Sequence, residues 1–403
     1  MVSPAAANEA RAYDIVLFGA TGFTGGLTAE YLAKHGGPLR WALAGRDREK
    51  LERVRSRIAA SAGNVAPRPA LIEADAADVD ALRALAESTR VVITTVGPYL
   101  RYGEPLVAAC AHAGTDYVDL TGESPFVTRM AARYHDIAAA NGAKIVNACG
   151  FDSIPHDLGT LYTVDALRRG LSEAEAADGS VSVEAFVQVK GDISGGTWQS
   201  MLTVLSETAV SSADDRSPLM AAGRAVAALP PKIRYRTAQR FWTVPLPSID
   251  PEVVRHSARL SPRYGREFRY GHYLALRHLA EVIAFLIGAA LFVSLARFKP
   301  TRALLAKLKR SGEGPSETQR AKGFFRISFS GRAGDRAVQC RVSGADPFYG
   351  ETAKMLAESA LCLAFDRASL PPNYGVVPSA AAMGGSLIER LQRAGIVFEE
   401  LPG

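Results

Sequence analysis

In DIVLFGATGFTG, residues 14–25, an apolar run with β-branched residues meets a turn spaced by glycines and then a helical pattern. Asp14–Gly19 reads as a buried strand, and Phe23–Lys34 as the helix that follows it. The turn between them, Gly19-Ala20-Thr21-Gly22-Phe23-Thr24-Gly25, carries a glycine at every third position. Such glycines permit a tight bend and let the backbone approach a pyrophosphate, whose charge the free amides and the helix dipole stabilise. Glycine spacing alone is weak evidence; its place at the first strand–helix junction is what the mechanism requires. Gly19, Thr21, Gly22, Phe23 and Thr24 are therefore candidate contacts to a dinucleotide.

Outward from this turn the pattern repeats. Trp41–Ala44, Leu71–Glu73, Val91–Val96, Tyr117–Asp119 and Lys144–Asn147 read as strands, separated by amphipathic helices. Near-continuous apolar strands alternating with helices imply a parallel sheet covered on both faces. After about Asp157 the rhythm changes: Val181–Lys190, Phe324–Phe329 and Ala337–Val342 alternate with period two, as half-exposed antiparallel strands do. The expected fold is α/β, a Rossmann-type parallel sheet with a second, α+β domain. The expected bounds are 1–157 for the first and 158–345 for the second, with 346–403, helical over Tyr349–Phe365 and Ala380–Ala394, packing back on the first. Ala213–Gly271, rich in proline and arginine, reads as irregular, and Ser311–Thr318 as a loop.

Cofactor choice turns on the second strand, which ends Ala44-Gly45-Arg46. An NAD site usually carries a carboxylate there, whereas a guanidinium binds a 2′-phosphate bidentately. Arg46 thus points to NADPH, with Asp47 read as the cap of the next helix. Asp75 ends the third strand, where it would accept from the adenine amino group or cap the following helix. Val96, Gly97 and Pro98 end the fourth, small enough for the backbone to lie against the ribose beside the nicotinamide.

Composition sets the limits. Of 403 residues 48% are hydrophobic and 22% charged, which excludes a disordered or fibrous chain. Four scattered cysteines without a CxxC pair, and seven histidines without paired spacing, predict neither a disulfide framework nor a metal site. The first residues show no basic flank leading into an apolar run, so no signal peptide is expected and the cytoplasm is the simplest compartment. Net charge is +6, yet Arg224–Arg310 holds 17 basic and 4 acidic residues, a local surplus of thirteen against a deficit of seven elsewhere. That asymmetry suggests an anionic partner; no nucleic-acid motif accompanies it. Val282–Ala296 has no charge and basic flanks, and reads as a core helix or a helix at a membrane surface.

Several motifs in order, DIVLFGATGFTG, AGR, VGPY, YGEPLVAAC, GTDYVDLTGE and GFDSIPHDLG, resemble the saccharopine dehydrogenase-like oxidoreductases. SGGT, YGETAKMLAESALCLA and SAAAMGGSLIERL resemble its trans-acting enoyl reductase branch. The resemblance runs from about residue 13 to 398 and is thinnest near 210–320. It implies NADPH-dependent reduction of a carbon–carbon double bond in a polyketide or long-chain acyl intermediate, in trans to the synthase. The substrate would be lipid-like and either free or held on a carrier protein. Two alternatives stand beside it: imine or carbonyl reduction, and a membrane-associated NADPH-binding protein without catalysis. Enoyl reduction needs a donor for the developing enolate close to the nicotinamide. Tyr99, directly after Gly97-Pro98, is the first candidate, with Tyr102, Ser153 and His156 behind it. Asp152 and Ser153 also suit a helix cap, Cys149 the core, and His112 a structural role.

Overall fold

The computed structural model describes residues 11–62, 67–171, 179–191, 198, 202, 224–237, 239–305, 307–308 and 314–402. It divides into two compact units, the first made of residues up to 154 with 348–395, the second of 155–347 with 396 onward.

In the first unit, β1 (Tyr13–Phe18), β2 (Trp41–Gly45), β3 (Ala70–Glu73), β4 (Thr89–Thr94), β5 (Asp116–Val118) and β6 (Lys144–Val146) alternate with helices. These helices are α1 (Phe23–His35), α2 (Arg48–Ala62), α3 (Val79–Ser88), the single turn α4 (Tyr99–Tyr102), α5 (Glu104–Ala113) and α6 (Ser124–Ala140). Every strand pairing is parallel, in the order β14-β6-β5-β4-β1-β2-β3. The chain runs outward from β1 one way through β2 and β3, then the other way from β4. That reversal opens a crevice at the carboxyl ends of β1 and β4, where such sheets take their ligands.

The seventh strand, β14 (Gly375–Val376), has two residues, too few for any periodicity to announce it. It follows α12 (Gly350–Phe365), which returns to the first unit: Thr352 Oγ1 accepts from the Phe151 N–H at 3.0 Å, and Glu358 from the Tyr31 hydroxyl at 2.8 Å.

The second unit contains α7 (Ile154–Arg168) and a mixed eight-stranded sheet in the order β15-β13-β12-β7-β11-β10-β9, with β8 also on β11. β7 (Ser180–Lys190) pairs antiparallel with β12 (Phe324–Ala333) and parallel with β11 (Glu267–Leu276). β13 (Arg336–Gly344) continues the antiparallel side.

Three expectations change. The stretch expected to be irregular builds β8 (Ala225–Ala228), β9 (Arg234–Arg236), β10 (Phe241–Pro245), α8 (Asp250–Leu260) and the start of β11. β8 and β9 face solvent along most of their length, so they show no alternation of apolar residues. Residues 397–401 form β15 on β13, in the second unit rather than the first, with Phe398 as its one buried residue. Glu317–Arg320 is a helical turn, α11, capped by Ser316 within the expected loop. Residues 311–313, SGGT at 194–197, all of 213–223 and the N-terminal ten residues lie outside the described residues.

Candidate functional site

At the β1–α1 junction each glycine of the turn has its own neighbour. Gly19 has φ +91°, and a Cβ there would lie 2.7 Å from Thr95 Oγ1 and 2.8 Å from Val96 Cγ2. A Cβ on Gly25 would lie 2.2 Å from the Gly19 carbonyl oxygen. Both positions are closed by the protein itself. Gly22 differs: its Cβ would meet only the Gly19 carbonyl, at 3.4 Å, and it is exposed at the N-cap of α1 without a side-chain cap bond. The turn therefore presents bare backbone and the unsatisfied first amides of α1 to whatever approaches it. Thr21 is exposed, Thr24 accepts through its carbonyl from the Thr28 hydroxyl, and Phe23 packs edge-on against Tyr349 at 5.1 Å. Thr95 Oγ1 donates to the Gly19 carbonyl at 3.1 Å, tying the ends of β4 and β1 together.

Arg46 is exposed at the end of β2 and has no ion pair among the described residues. Asp47 takes the capping role, accepting from the Lys50 N–H at 3.0 Å and pairing with the Lys50 ammonium at 3.1 Å. Arg46 is thus a cation without an ion pair among the described residues, and its acidic neighbour is engaged by Lys50. Asp75 accepts from the Ala77 N–H at 2.9 Å, a turn that leads into α3, whose N-cap is Asp78.

Past β4, Val96 and Pro98 are half-buried, Gly97 is exposed, and the Val96 N–H bonds Thr94 Oγ1 at 3.2 Å. Tyr99 is buried. Its hydroxyl donates to the Thr94 carbonyl at 3.2 Å and accepts from the Leu120 N–H at 3.2 Å, so its proton is used inside the fold. Burial beside Asp119 holds that phenol well above its ordinary range. Tyr99, the first choice of donor, thus bridges the β4 and β5 ends through its hydroxyl. Tyr102, one turn on, is 46% exposed. Ser153 is buried with its hydroxyl donated to the Asp152 carbonyl, and Asp152 itself is exposed. Cys149 is fully buried, whereas His112 is exposed.

Two carboxylates that motif reading did not single out brace this edge. Glu123 accepts from the Tyr99 and Leu100 N–H groups at 3.0 and 2.8 Å. Asp119 accepts from the Thr121 and Ala148 amides, the Asn147 side chain and the Tyr117 hydroxyl, all within 3.0 Å. Burial raises its pKa to about 6 despite those four donors. Both lie in GTDYVDLTGE, just past a strand end, which was the available signal.

His156 belongs to the second unit. Its Nδ1 is 3.3 Å from Asp250 Oδ1, and His272 Nε2 is 3.4 Å from Asp250 Oδ2. Burial lowers the His272 pKa to about 4, so that ring is neutral. One ligand-type atom from each of the three lies within 4.8 Å of the others, the arrangement a metal could use. No motif announces this group, because α7, α8 and β11 each supply one residue. The short distances to a carboxylate equally suit a shared-proton node.

Among known proteins, the family model for the saccharopine dehydrogenase NADP binding domain matches residues 15–146. A Mycobacterium tuberculosis protein provisionally named as a trans-acting enoyl reductase is 40% identical over 417 residues, covering 96% of this chain and 97% of its own. The trans-acting enoyl reductase of Mycobacterium leprae is 37% identical, over 97% of this chain and 98% of its own. Apo saccharopine dehydrogenase (L-Glu forming) from Saccharomyces cerevisiae shares the fold, with a TM-score of 0.55 at 12% identity over 97% of this chain and 100% of that one. The chain belongs to the saccharopine dehydrogenase-like oxidoreductases, in their trans-acting enoyl reductase branch.

Proposed function

We propose that the protein is an NADPH-dependent enoyl reductase, saturating a carbon–carbon double bond in a polyketide or long-chain acyl intermediate and acting in trans to the synthase. One observation carries the cofactor half: Gly22 is the open glycine in a turn whose other glycines are closed by protein. The full-length similarity to proteins named for this activity supports the choice of reaction. The α1 amides and Gly22 would hold the pyrophosphate, Arg46 the 2′-phosphate, and the Val96-Gly97-Pro98 backbone the ribose beside the nicotinamide. Bound NADPH supplies the hydride. Asp119, Glu123 and Tyr99 keep the carboxyl edge of β4–β6 rigid, and such pre-set geometry is what lets dipoles stabilise developing charge. Tyr102, whose phenol is exposed at that edge, is the donor we assign to the enolate.

The substrate partner is an acyl chain, free or carrier-held, and an acidic carrier would be drawn to the basic segment. We infer a cytoplasmic setting. NADPH oxidation with enoyl thioesters, set against matched ketoacyl thioesters and cyclic imines, tests the assignment. Turnover of the enoyl series alone is expected; turnover of imines or ketones alone, or of nothing, would replace it with one of the two alternatives above.

A further inference from the structure

We propose that α9 (Leu279–Arg297) and α10 (Lys299–Leu305) form a helical hairpin that embeds in one leaflet of an anionic bilayer without crossing it. This does not depend on the reductase reading. α9 is long and apolar enough to span a membrane, about 28 Å at 1.5 Å per residue. Only Val282 and Ala296 of it are buried. Ile283, Leu286, Ile287 and Leu291 are exposed along one side of α9, and Ala284, Gly288 and Ala289 are exposed on its other sides, so the apolar surface continues round the helix instead of forming one stripe. A protein groove covers one face of a helix; hydrocarbon surrounds it.

Topology decides how the hairpin enters. β11, which ends just before α9, and β12, which follows α10 and α11, both pair with β7. A single crossing would put β11 and β12 on opposite sides of the bilayer, which their shared partner forbids. The excursion must leave and return on one side.

Apart from the basic side chains, which are left for headgroups, polar groups of the hairpin find partners within the protein, as a water-free setting demands. Glu281 Oε2 accepts from the Arg277 and His278 N–H groups at 2.8 and 3.2 Å, capping α9. The Ser294 hydroxyl donates to the Ala290 carbonyl at 2.8 Å. At the bend, Thr301 Oγ1 bonds the Leu295 and Phe298 carbonyls at 2.5 and 3.0 Å, and Trp198 Nε1 bonds the Leu305 carbonyl at 2.7 Å. Arg277, Arg297, Arg302 and Lys307 flank the apolar run, and among the described residues none has an ion pair. Basic flanks on an apolar helix match anionic headgroups.

Full-length protein should co-sediment with phosphatidylglycerol-containing vesicles and much less with phosphatidylcholine ones, weakening as salt cuts the screening length from about 10 to about 3 Å. Arg297→Glu with Lys299→Glu should lower partitioning by at least roughly 25-fold, at about fivefold per lost basic residue before any repulsion from the new carboxylates. Ile287→Glu with Leu291→Glu should abolish it, while an unchanged circular dichroism spectrum and melting temperature show that this variant still folds. Cysteines introduced at the exposed positions 190 and 317 should both react with an impermeant maleimide added outside the vesicles. Protection of one of them, equal binding to neutral vesicles at high salt, or loss of a soluble dimer in the glutamate variant without any vesicle binding would each overturn the proposal.

Discussion

Gly22 and Gly25 stand three residues apart in one turn, yet substitution at them should separate binding from folding. A Cβ at Gly25 lands 2.2 Å from the Gly19 carbonyl oxygen and 2.8 Å from Thr95 Oγ1. Neither can yield without parting the β1 and β4 ends, so Gly25→Ala should destabilise the apoprotein by about 1–3 kcal/mol or more. At Gly22 the nearest atom is 3.4 Å away, and φ −75° with ψ 167° is backbone that any residue adopts. Gly22→Val should therefore leave apoprotein stability within about 0.5 kcal/mol. Its side chain nonetheless occupies the approach to the α1 amides. Hydrogen bonds to a charged group are worth about 1.5–3 kcal/mol each, so loss of two costs about 3–6 kcal/mol. That corresponds to roughly a 10²–10⁴-fold rise in Kd for NADPH. Thermal unfolding of both variants, with and without NADPH, and a fluorescence titration measure the two quantities. If Gly22→Val unfolds as Gly25→Ala does, or binds NADPH like the wild type, the placement of the pyrophosphate is wrong.

Other positions give independent checks. Arg46→Ala should weaken NADPH by about 1.5–3 kcal/mol and leave NADH unchanged; equal losses for both would show that Arg46 does not select. Tyr99→Phe strips the Thr94 carbonyl and Leu120 N–H of a buried partner and should cost about 1–3 kcal/mol in unfolding with little change in kcat per folded molecule. Tyr102→Phe should do the reverse, lowering kcat by about 10²–10⁴-fold with stability intact. His272, with a folded pKa near 4 against an ordinary 6.5, binds fewer protons folded than unfolded in that interval. Stability should be full above pH 6.5 and fall, by on the order of 3 kcal/mol, as pH drops toward 4; His272→Gln should remove that part of the slope in urea titrations. Asp119, raised from 3.8 to about 6, acts with opposite sign, so Asp119→Asn should steepen the acid loss. Dialysis against a chelator should leave the melting temperature unchanged if His156, Asp250 and His272 share a proton; a fall would identify a bound metal.

The parts of this fold that could be read ahead were those whose signal is local. β1 shows five buried residues in a row, and the Gly19–Gly25 turn follows it directly, so strand, turn and helix declared themselves together. Arg46 and Asp47 were separable because capping needs the residue beside the helix start, and Asp47 was that residue. What escaped was set by partners far along the chain. Tyr99 looked like a donor from its place after Gly97-Pro98; its hydroxyl donates to the Thr94 carbonyl and accepts from the amide of Leu120, twenty-one residues on. His156 looked like an edge residue until Asp250 and His272, from other elements, gathered round it. β8 and β9 went unseen because edge strands turned to solvent need no apolar alternation.

The basic segment shows how a count of charges changes meaning once positions are known. Arg234 and Arg236 both pair with Glu184, and Arg263 pairs with Asp165 at 3.2 Å. Both carboxylates lie outside the 224–310 window, so part of its surplus of thirteen is neutralised across the sheet. Arg277, Arg297, Arg302 and Lys307, by contrast, keep their charge unpaired among the described residues, and all lie on α9 and α10 or within two residues of them. Part of the segment's net field therefore lies at the apolar hairpin. A charge distribution of that kind attracts an extended anionic surface more than a point ligand, because its cations are spread over the length of two helices instead of converging on one site.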